Sequence, residues 1–410
     1  MRKLLNEIIL LIVFIILFIL IRSIHFPLFV NFSHDPALFS IEALIIDREK
    51  FIRLLGPTIS INFEGRQIFQ GPAVYYFQLL FLKLGNFDPL TASYFFMIFS
   101  AVMILPLYYG VKLLLNKRVA LVLIILYSLL PYYINYTRFL WNPNFQLSLS
   151  PILILLMGLF KRNKNKLNLL LISIFMGFLL QFHYQFIIII IGLLIYFFFV
   201  LKIKYSFLII TIFGFLIGFF PLILFEIRNN FYNIQTLILY FNNPRTSKSI
   251  NLGEAPHYYL SLSMFLFVTL FSFFNRLKIV FLLTLFIILF LWSLISYIPK
   301  PSQSFRMVKN WNYLNEEKVY KIIKEQNLSN FNIVNLSYDT LATVQKYFLK
   351  RDSNNIDFDN YRANKFLYVV NADANFMNNL AYEVNTFKPS SIIGQWPING
   401  YYTLYLLKRD

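Results

Sequence analysis

Long apolar runs separated by short polar gaps dominate the first three-quarters of the chain. Runs near 4–24, 89–111, 119–136, 145–160, 167–182, 185–201, 205–225, 258–274 and 279–298 approach the roughly 20 apolar residues that a helix needs to cross a bilayer. The pattern predicts about nine spans. The first run, Leu4 to Ile24, is too long for a signal-peptide core and is followed by no small-residue cleavage pattern, so it is expected to stay as the first span. A further stretch, GPAVYYFQLLFLKLG from Gly71 to Gly85, is too short to cross and would reverse the charge pattern downstream. It is expected to lie along the interface as an aromatic-rich helix. Beyond Pro299 and Pro301 the periodicity changes: helix-like EEKVYKIIKEQ and DTLATVQKYFLK alternate with strand-like FNIVNL, KFLYVVN and GYYTLYLL. The expected architecture is a mainly α, polytopic helical membrane protein over 1–298 with a small C-terminal α/β domain over 299–410.

Composition agrees, since 58% of the residues are hydrophobic and 19% aromatic and the mean hydropathy is +0.61. A net charge of +18 in a soluble domain would point to nucleic acid, but here the cations fall in the gaps between apolar runs. Arg2, Lys3, Lys112, Lys117, Arg118, Lys161, Arg162, Lys164, Lys166, Lys202, Lys204, Arg276 and Lys278 all take one side, which marks it as cytoplasmic. The expected location is the plasma (inner) membrane, with the N-terminus cytoplasmic and with the first loop, about 25–88, and the C-terminal domain outside; no nucleic acid is expected as a partner. Residues 1–298 hold only Glu7, Asp35, Glu42, Asp47, Glu49, Glu64, Asp88, Glu226 and Glu254 as acids, and all but Glu7 fall on the outer side. The absence of cysteine excludes disulfides and thiolate metal sites.

Four outer constellations carry candidate chemistry. NFSHDPALFS sets His34 and Asp35 at the foot of the first span; Pro36 suits a first helical turn, so the Asp35 carboxylate is either an N-cap or a free base. YTRFLWNPN offers Arg138 for a phosphate and Asn142 and Asn144 as weak oxygen ligands, while Trp141 and the tyrosines suit interfacial anchoring. QFHYQF puts His183 at the joint of two spans, either bonded locally or facing a ligand. FEIRNNF places Glu226 and Arg228 where a span emerges, either paired with each other or facing substrate. No phosphate-loop, HExxH, GxSxG or dinucleotide motif occurs, and His25, His34, His183 and His257 lack metal-ligand spacing.

The order of HDPALFSIEA, LLGP at Leu54 to Pro57, QGPAVYYF at Gln70 to Phe77, RFLWNPN, FHYQF and PLILFEIRNNF resembles the GT-C superfamily of polyprenyl-phosphate-sugar-dependent glycosyltransferases over about residues 1–260. Within it, the resemblance is in particular to bacterial and archaeal relatives of the protein O-mannosyltransferases and of the lipid A aminoarabinose transferase. The resemblance implies an outward-facing carboxylate at the end of the first span as the base, which by position is Asp35; Pro36 stands where many members carry a second acid. It implies an inverting transfer from a polyprenyl-phosphate sugar to a lipid, glycan or protein hydroxyl, with membrane lipids around both. Arg138, Arg228 and His183 would face the leaving phosphate, Glu226 would hold sugar hydroxyls or orient Arg228, and His34, Tyr75, Tyr76, Asn142 and Asn144 would line the substrate cavity. RFLWNPN lacks the acidic metal ligands of the oligosaccharyltransferase subunit, so no metal and no cofactor beyond the donor is implied. The alternatives are a lipid or glycan transporter, marked by polar groups and broken helices within the spans, and a noncatalytic partner-binding protein.

Overall fold

Helix α1 (Arg2–Ser23) carries the first apolar run, and the chain then turns through α2 (Phe26–Phe29) into α3 (His34–Glu49), the hairpin β1 (Thr58–Phe63) and β2 (Arg66–Phe69), and α4 (Ala73–Leu84). In this computed structural model, residues 2–410 are described apart from 64, 203, 205, 243–255, 274–277, 300, 353–355 and 357–359. Glu64, Glu254 and Arg276 lie outside the described residues. The bundle continues through α5 (Pro89–Val102), α6 (Ile104–Leu114), α7 (Lys117–Leu129), α8 (Pro131–Tyr136), α9 (Asn142–Asn163), α10 (Lys166–Leu180) and α11 (Phe186–Ile195), the last prolonged by a π-helical turn to Val200. After it come α12 (Ser206–Gly218), α13 (Phe220–Arg228), α14 (Tyr232–Asn242), α15 (Leu260–Phe273) and α16 (Ile279–Tyr297). Short polar side chains start several of these helices: Asp88, Asn116 and Asn165 accept from Thr91 N, Val119 N and Leu167 N at 2.8, 3.0 and 2.8 Å.

Among the described residues, Leu5–Ser23, Pro89–Leu114, Asn142–Asn163 and Ile279–Tyr297 are long and apolar enough to cross a membrane, and α12 with α13 adds a fifth if that pair, bent by 77°, counts as one span. The structure thus supports four or five of the nine expected spans. The reason is local: Pro131 and Pro221 each fall at the start of a new helix, and α7, with 13 residues, rises only about 20 Å where the hydrocarbon layer is about 30 Å thick. Close approach between α10 and α12 depends on small residues, since a Cβ at Gly218 would fall 1.9 Å from the Ile174 carbonyl oxygen. At one end of the bundle Glu7 binds Lys112 and Lys117 at 2.7 and 2.9 Å, and Lys161 donates to the Leu114 carbonyl at 2.5 Å. Basic residues of the α6–α7 and α9–α10 turns therefore meet at the end where α1 begins.

At the other end of α1 sits the C-terminal region: α17 (Tyr313–Gln326), β3 (Phe331–Asn335), α18 (Thr343–Arg351), β4 (Phe366–Asn371), α19 (Tyr382–Asn385), β5 (Ser390–Pro397) and β6 (Thr403–Arg409). The four strands form one sheet in the order β3-β4-β6-β5, with β3 and β4 parallel and the rest antiparallel. Its expected helices and three of its strands are present; α18 begins four residues inside DTLATVQKYFLK because the Asp339 carboxylate accepts from Thr343 N at 2.8 Å and caps it there. The region is not separate from the bundle. Phe32 packs edge-on to Tyr347 at 5.3 Å, Asn31 donates to Phe305 O at 2.9 Å, Ser304 to Leu28 O at 2.9 Å, and Tyr347 to Phe87 O at 2.7 Å. The first loop and the C-terminal region accordingly share one hydrophobic core.

Candidate active site

The last turn of α1 presents carbonyls that no helix amide reaches, and two buried arginines meet this end of the bundle. Arg22 Nε donates to Thr137 Oγ1 at 2.7 Å, and its Nη1 and Nη2 donate to the Ser128 and Tyr127 carbonyls at 2.8 and 3.0 Å. Arg138 Nε and Nη2 donate to the Arg22 and Ile21 carbonyls at 3.1 and 3.2 Å, with the guanidinium 4.5 Å from the rings of both Phe29 and Tyr297. Arg138 is buried at 0% exposure, and its guanidinium is engaged at the end of α1 and does not line the pocket beside Asp35. The sequence signal for this role was a cation, Arg22, in the last turn of an apolar span.

Asp35 is free. Helix α3 begins at His34 with Ser33 at the N-cap, so Asp35 lies in the first turn, exposed, with no hydrogen bond or ion pair among the described residues. Of the two sequence readings, capping does not occupy it; a carboxylate is favourable there because the helix N-terminus carries partial positive charge. Its side opens on a small pocket of about 120 Å³ that it shares with Trp141 and Arg306, walled by Asn31, Ser33, Pro36 and Phe139. Of the expected site residues, Asp35 is the one that lines it.

Arg306 comes from the segment after α16, and sequence reading missed it. Its guanidinium lies 4.9 Å over the Trp141 ring and Nη1 donates to His257 Nδ1 at 2.8 Å; it has no acidic partner among the described residues. Its φ of 62° is an uncommon left-handed conformation for a residue other than glycine. The His257 ring is 4.8 Å from Trp141 and 6.1 Å from His183. Burial, then the Arg306 charge and His183, pushes His257 down to about 3, and burial pushes His183 down to about 4. Both imidazoles are neutral at neutral pH, so His183 supplies no positive charge to a phosphate and Arg306 is the cation of the cluster. The signal available in the sequence was position: Arg306 follows the last apolar run by a few residues, on the side of the first loop.

The other expected residues do not line this pocket and are engaged in contacts around it or away from it. Asn142 Nδ2 donates to Gln70 Oε1 at 3.0 Å and to Phe182 O at 3.2 Å, tying the first loop to the α10–α11 turn, and buried Asn144 donates to Phe139 O at 2.9 Å. The two Gly-Pro motifs pair by backbone, Gly56 N to Gln70 O at 2.8 Å and Gln70 N to Pro57 O at 2.9 Å, while Gly71 N reaches Gln181 O at 3.1 Å. Only glycine fits this joint: a Cβ at Gly56 would sit 2.0 Å from Gly71 O, and one at Gly71 2.6 Å from the Gln181 side chain. Tyr75 is buried 6.0 Å from Phe39 in the α3–α4 contact, and the Tyr76 hydroxyl accepts from Arg53 N at 3.0 Å in the loop after α3. Glu226 accepts from Asn233 N at 3.3 Å at the start of α14, and Arg228 is exposed; the two do not pair with each other among the described residues. His34 turns away from the pocket toward the C-terminal region, where its Nδ1 lies 3.1 Å from Asp339 Oδ1.

With the geometry in place, the comparison with known families is informative. Residues 70–225 match the dolichyl-phosphate-mannose-protein mannosyltransferase family. The match bears out the GT-C resemblance and supports, at the family level, a multi-pass membrane glycosyltransferase fed by a lipid-linked sugar. The mannosyltransferase-like segment contains Gln70, α4, Arg138, Asn142 and His183, whereas Asp35 precedes it and Arg306 follows it. No curated protein matches the chain.

Proposed function

We propose that the protein transfers a sugar from a polyprenyl-phosphate donor to an acceptor hydroxyl at the outer face of the plasma membrane, with inversion, and that Asp35 is the base. The observation that carries this reading is a pocket beside the first span shared by a carboxylate and a cation that have, among the described residues, no partner and no acidic partner respectively. The acceptor O–H gives its proton to Asp35 as its oxygen bonds to the anomeric carbon. The bond from that carbon to the phosphate oxygen breaks, and the electron pair leaves with polyprenyl phosphate, whose charge Arg306 meets. A phosphate is already a stable anion, so no acid is needed for the leaving group; glycoside hydrolysis needs two carboxyl groups because its leaving oxygen must be protonated. In this reading Arg306 takes the role expected of Arg138 and Arg228, the charge is met without a metal, and the lipid tail of the donor runs beside the exposed flank of α1.

The test uses the full-length protein in proteoliposomes with polyprenyl-phosphate-mannose labelled in the sugar and an extract of envelope lipids and glycans as acceptor. Protein-dependent release of polyprenyl phosphate, with the anomeric configuration inverted in the product, is expected. The 77° break between α12 and α13 is the kind of feature that favours a transporter. Movement of the labelled donor across the bilayer with the sugar–phosphate bond intact would establish that alternative and overturn transfer.

A further inference from the structure

Helices α3 and α18 lie side by side and are fastened at both ends. At the C-terminal ends Arg48 Nη2 donates to the Arg351 carbonyl at 2.9 Å. At the N-terminal ends the His34 imidazole meets two groups of the C-terminal region, with Nδ1 3.1 Å from Asp339 Oδ1 and 2.8 Å from Thr343 Oγ1. The second oxygen of Asp339 caps α18 through Thr343 N. Asp339 is buried, with 6% of its side chain exposed, whereas 40% of the His34 side chain is exposed. A buried carboxylate needs a donor, so the shared Nδ1 carries the proton. One carboxylate thus holds the first turns of two helices, and one of those turns bears Asp35.

Charge is consistent with this geometry. The bond to Asp339 raises His34 above its usual range, against burial and with added help from the Asp339 and Asp35 charges. Burial alone pushes Asp339 up, and the bonds from His34 and Thr343 outweigh it and hold the carboxyl below its usual range. The groups facing His34 are therefore Asp339 and Thr343 across the interface and Asp35 on its own helix. The pair is intact between the two folded pKa values; it is lost as pH rises through the raised one of His34 or falls through the lowered one of Asp339.

We infer that His34 is a positioning residue: Asp339 and Thr343 fix it and through it the aim of Asp35, which makes the C-terminal region part of the site. The inference rests on the transfer reading above. A chain in which that region only stabilised the fold would need no bond at the residue next to Asp35.

The test compares the full-length protein with His34→Gln, Asp339→Asn and the exchange His34→Asp with Asp339→His. Hydrogen exchange, which needs no substrate, is expected to quicken in the first turns of α3 and α18 in both single variants at neutral pH and to return toward wild type in the exchange. In the wild type it is expected to quicken on raising the pH through the His34 titration. With polyprenyl-phosphate-mannose, kcat is expected to fall about tenfold to hundredfold in the single variants, as misaimed reacting groups do, with the donor KM unchanged and activity recovered in the exchange. Unchanged exchange in Asp339→Asn, or unchanged kcat in a wild-type background that is active, overturns the inference. Wild-type protein that releases no sugar while Asp339→Asn still loosens the α3 first turn overturns the transfer reading instead.

Discussion

The family resemblance puts Arg138 at the leaving phosphate and the structure bonds it to the end of α1, and its replacement by Met separates the two roles. In the structure its guanidinium makes two well-formed charge-assisted bonds, at 3.1 and 3.2 Å, to carbonyls of the last turn of α1. Each such bond contributes about 1.5–3 kcal/mol, and losing the pair also leaves two buried acceptors unmet. Against this, Met restores apolar packing between Phe29 and Tyr297 and removes the desolvation of a buried cation, one of whose nitrogens, Nη1, has no hydrogen-bond partner among the described residues. The net loss expected for Arg138→Met is about 3 kcal/mol of stability. Unfolding of the detergent-solubilised protein, followed by circular dichroism, reads this directly. Donor KM per folded molecule is expected to stay at the wild-type value, whereas Arg306→Gln is expected to raise it with little change in stability. An Arg138→Met protein as stable as wild type but with a raised donor KM would refute the reasoning and return Arg138 to the phosphate.

Two further outcomes follow from other parts of the fold. Gly71→Ala, whose Cβ would meet the Gln181 side chain at 2.6 Å, is expected to lower stability by about 1–3 kcal/mol, the usual range for overpacking, with thermal unfolding as the readout. In the C-terminal region Glu316 is buried and accepts from Trp311 Nε1 at 2.5 Å and from Tyr338 and Gln345, yet burial outweighs these donors and raises it to about 7. Its folded value lies above its unfolded one, so between about pH 4.5 and 7 the folded state binds the extra proton and stability falls as pH rises. Glu316→Gln is expected to flatten that fall, and a pH series of unfolding midpoints checks it.

The membrane class and the C-terminal elements were legible because period and apolar length are local properties. Among the described residues four or five of the nine expected spans are single helices long enough to cross, because apolar runs such as 119–136 and 205–225 show no polarity change where Pro131 and Pro221 start a new helix. Of the pocket, the residue legible in the sequence was Asp35, where a polar dipeptide follows an apolar run. Arg138 and Arg306 differ in nothing that local sequence records; which one reaches the pocket depends on the end of α1 consuming the first and on the segment after α16 folding back over Trp141. The contact of Asp339 with His34 was invisible in the sequence because the two lie 305 positions apart.

The most direct measurement is single-turnover release of polyprenyl phosphate by Asp35→Asn, with donor binding and the unfolding midpoint measured on the same preparation. The account predicts a loss of about a hundredfold to ten-thousandfold in rate, the usual share of a general base, with binding and folding kept. Release at close to the wild-type rate would contradict it.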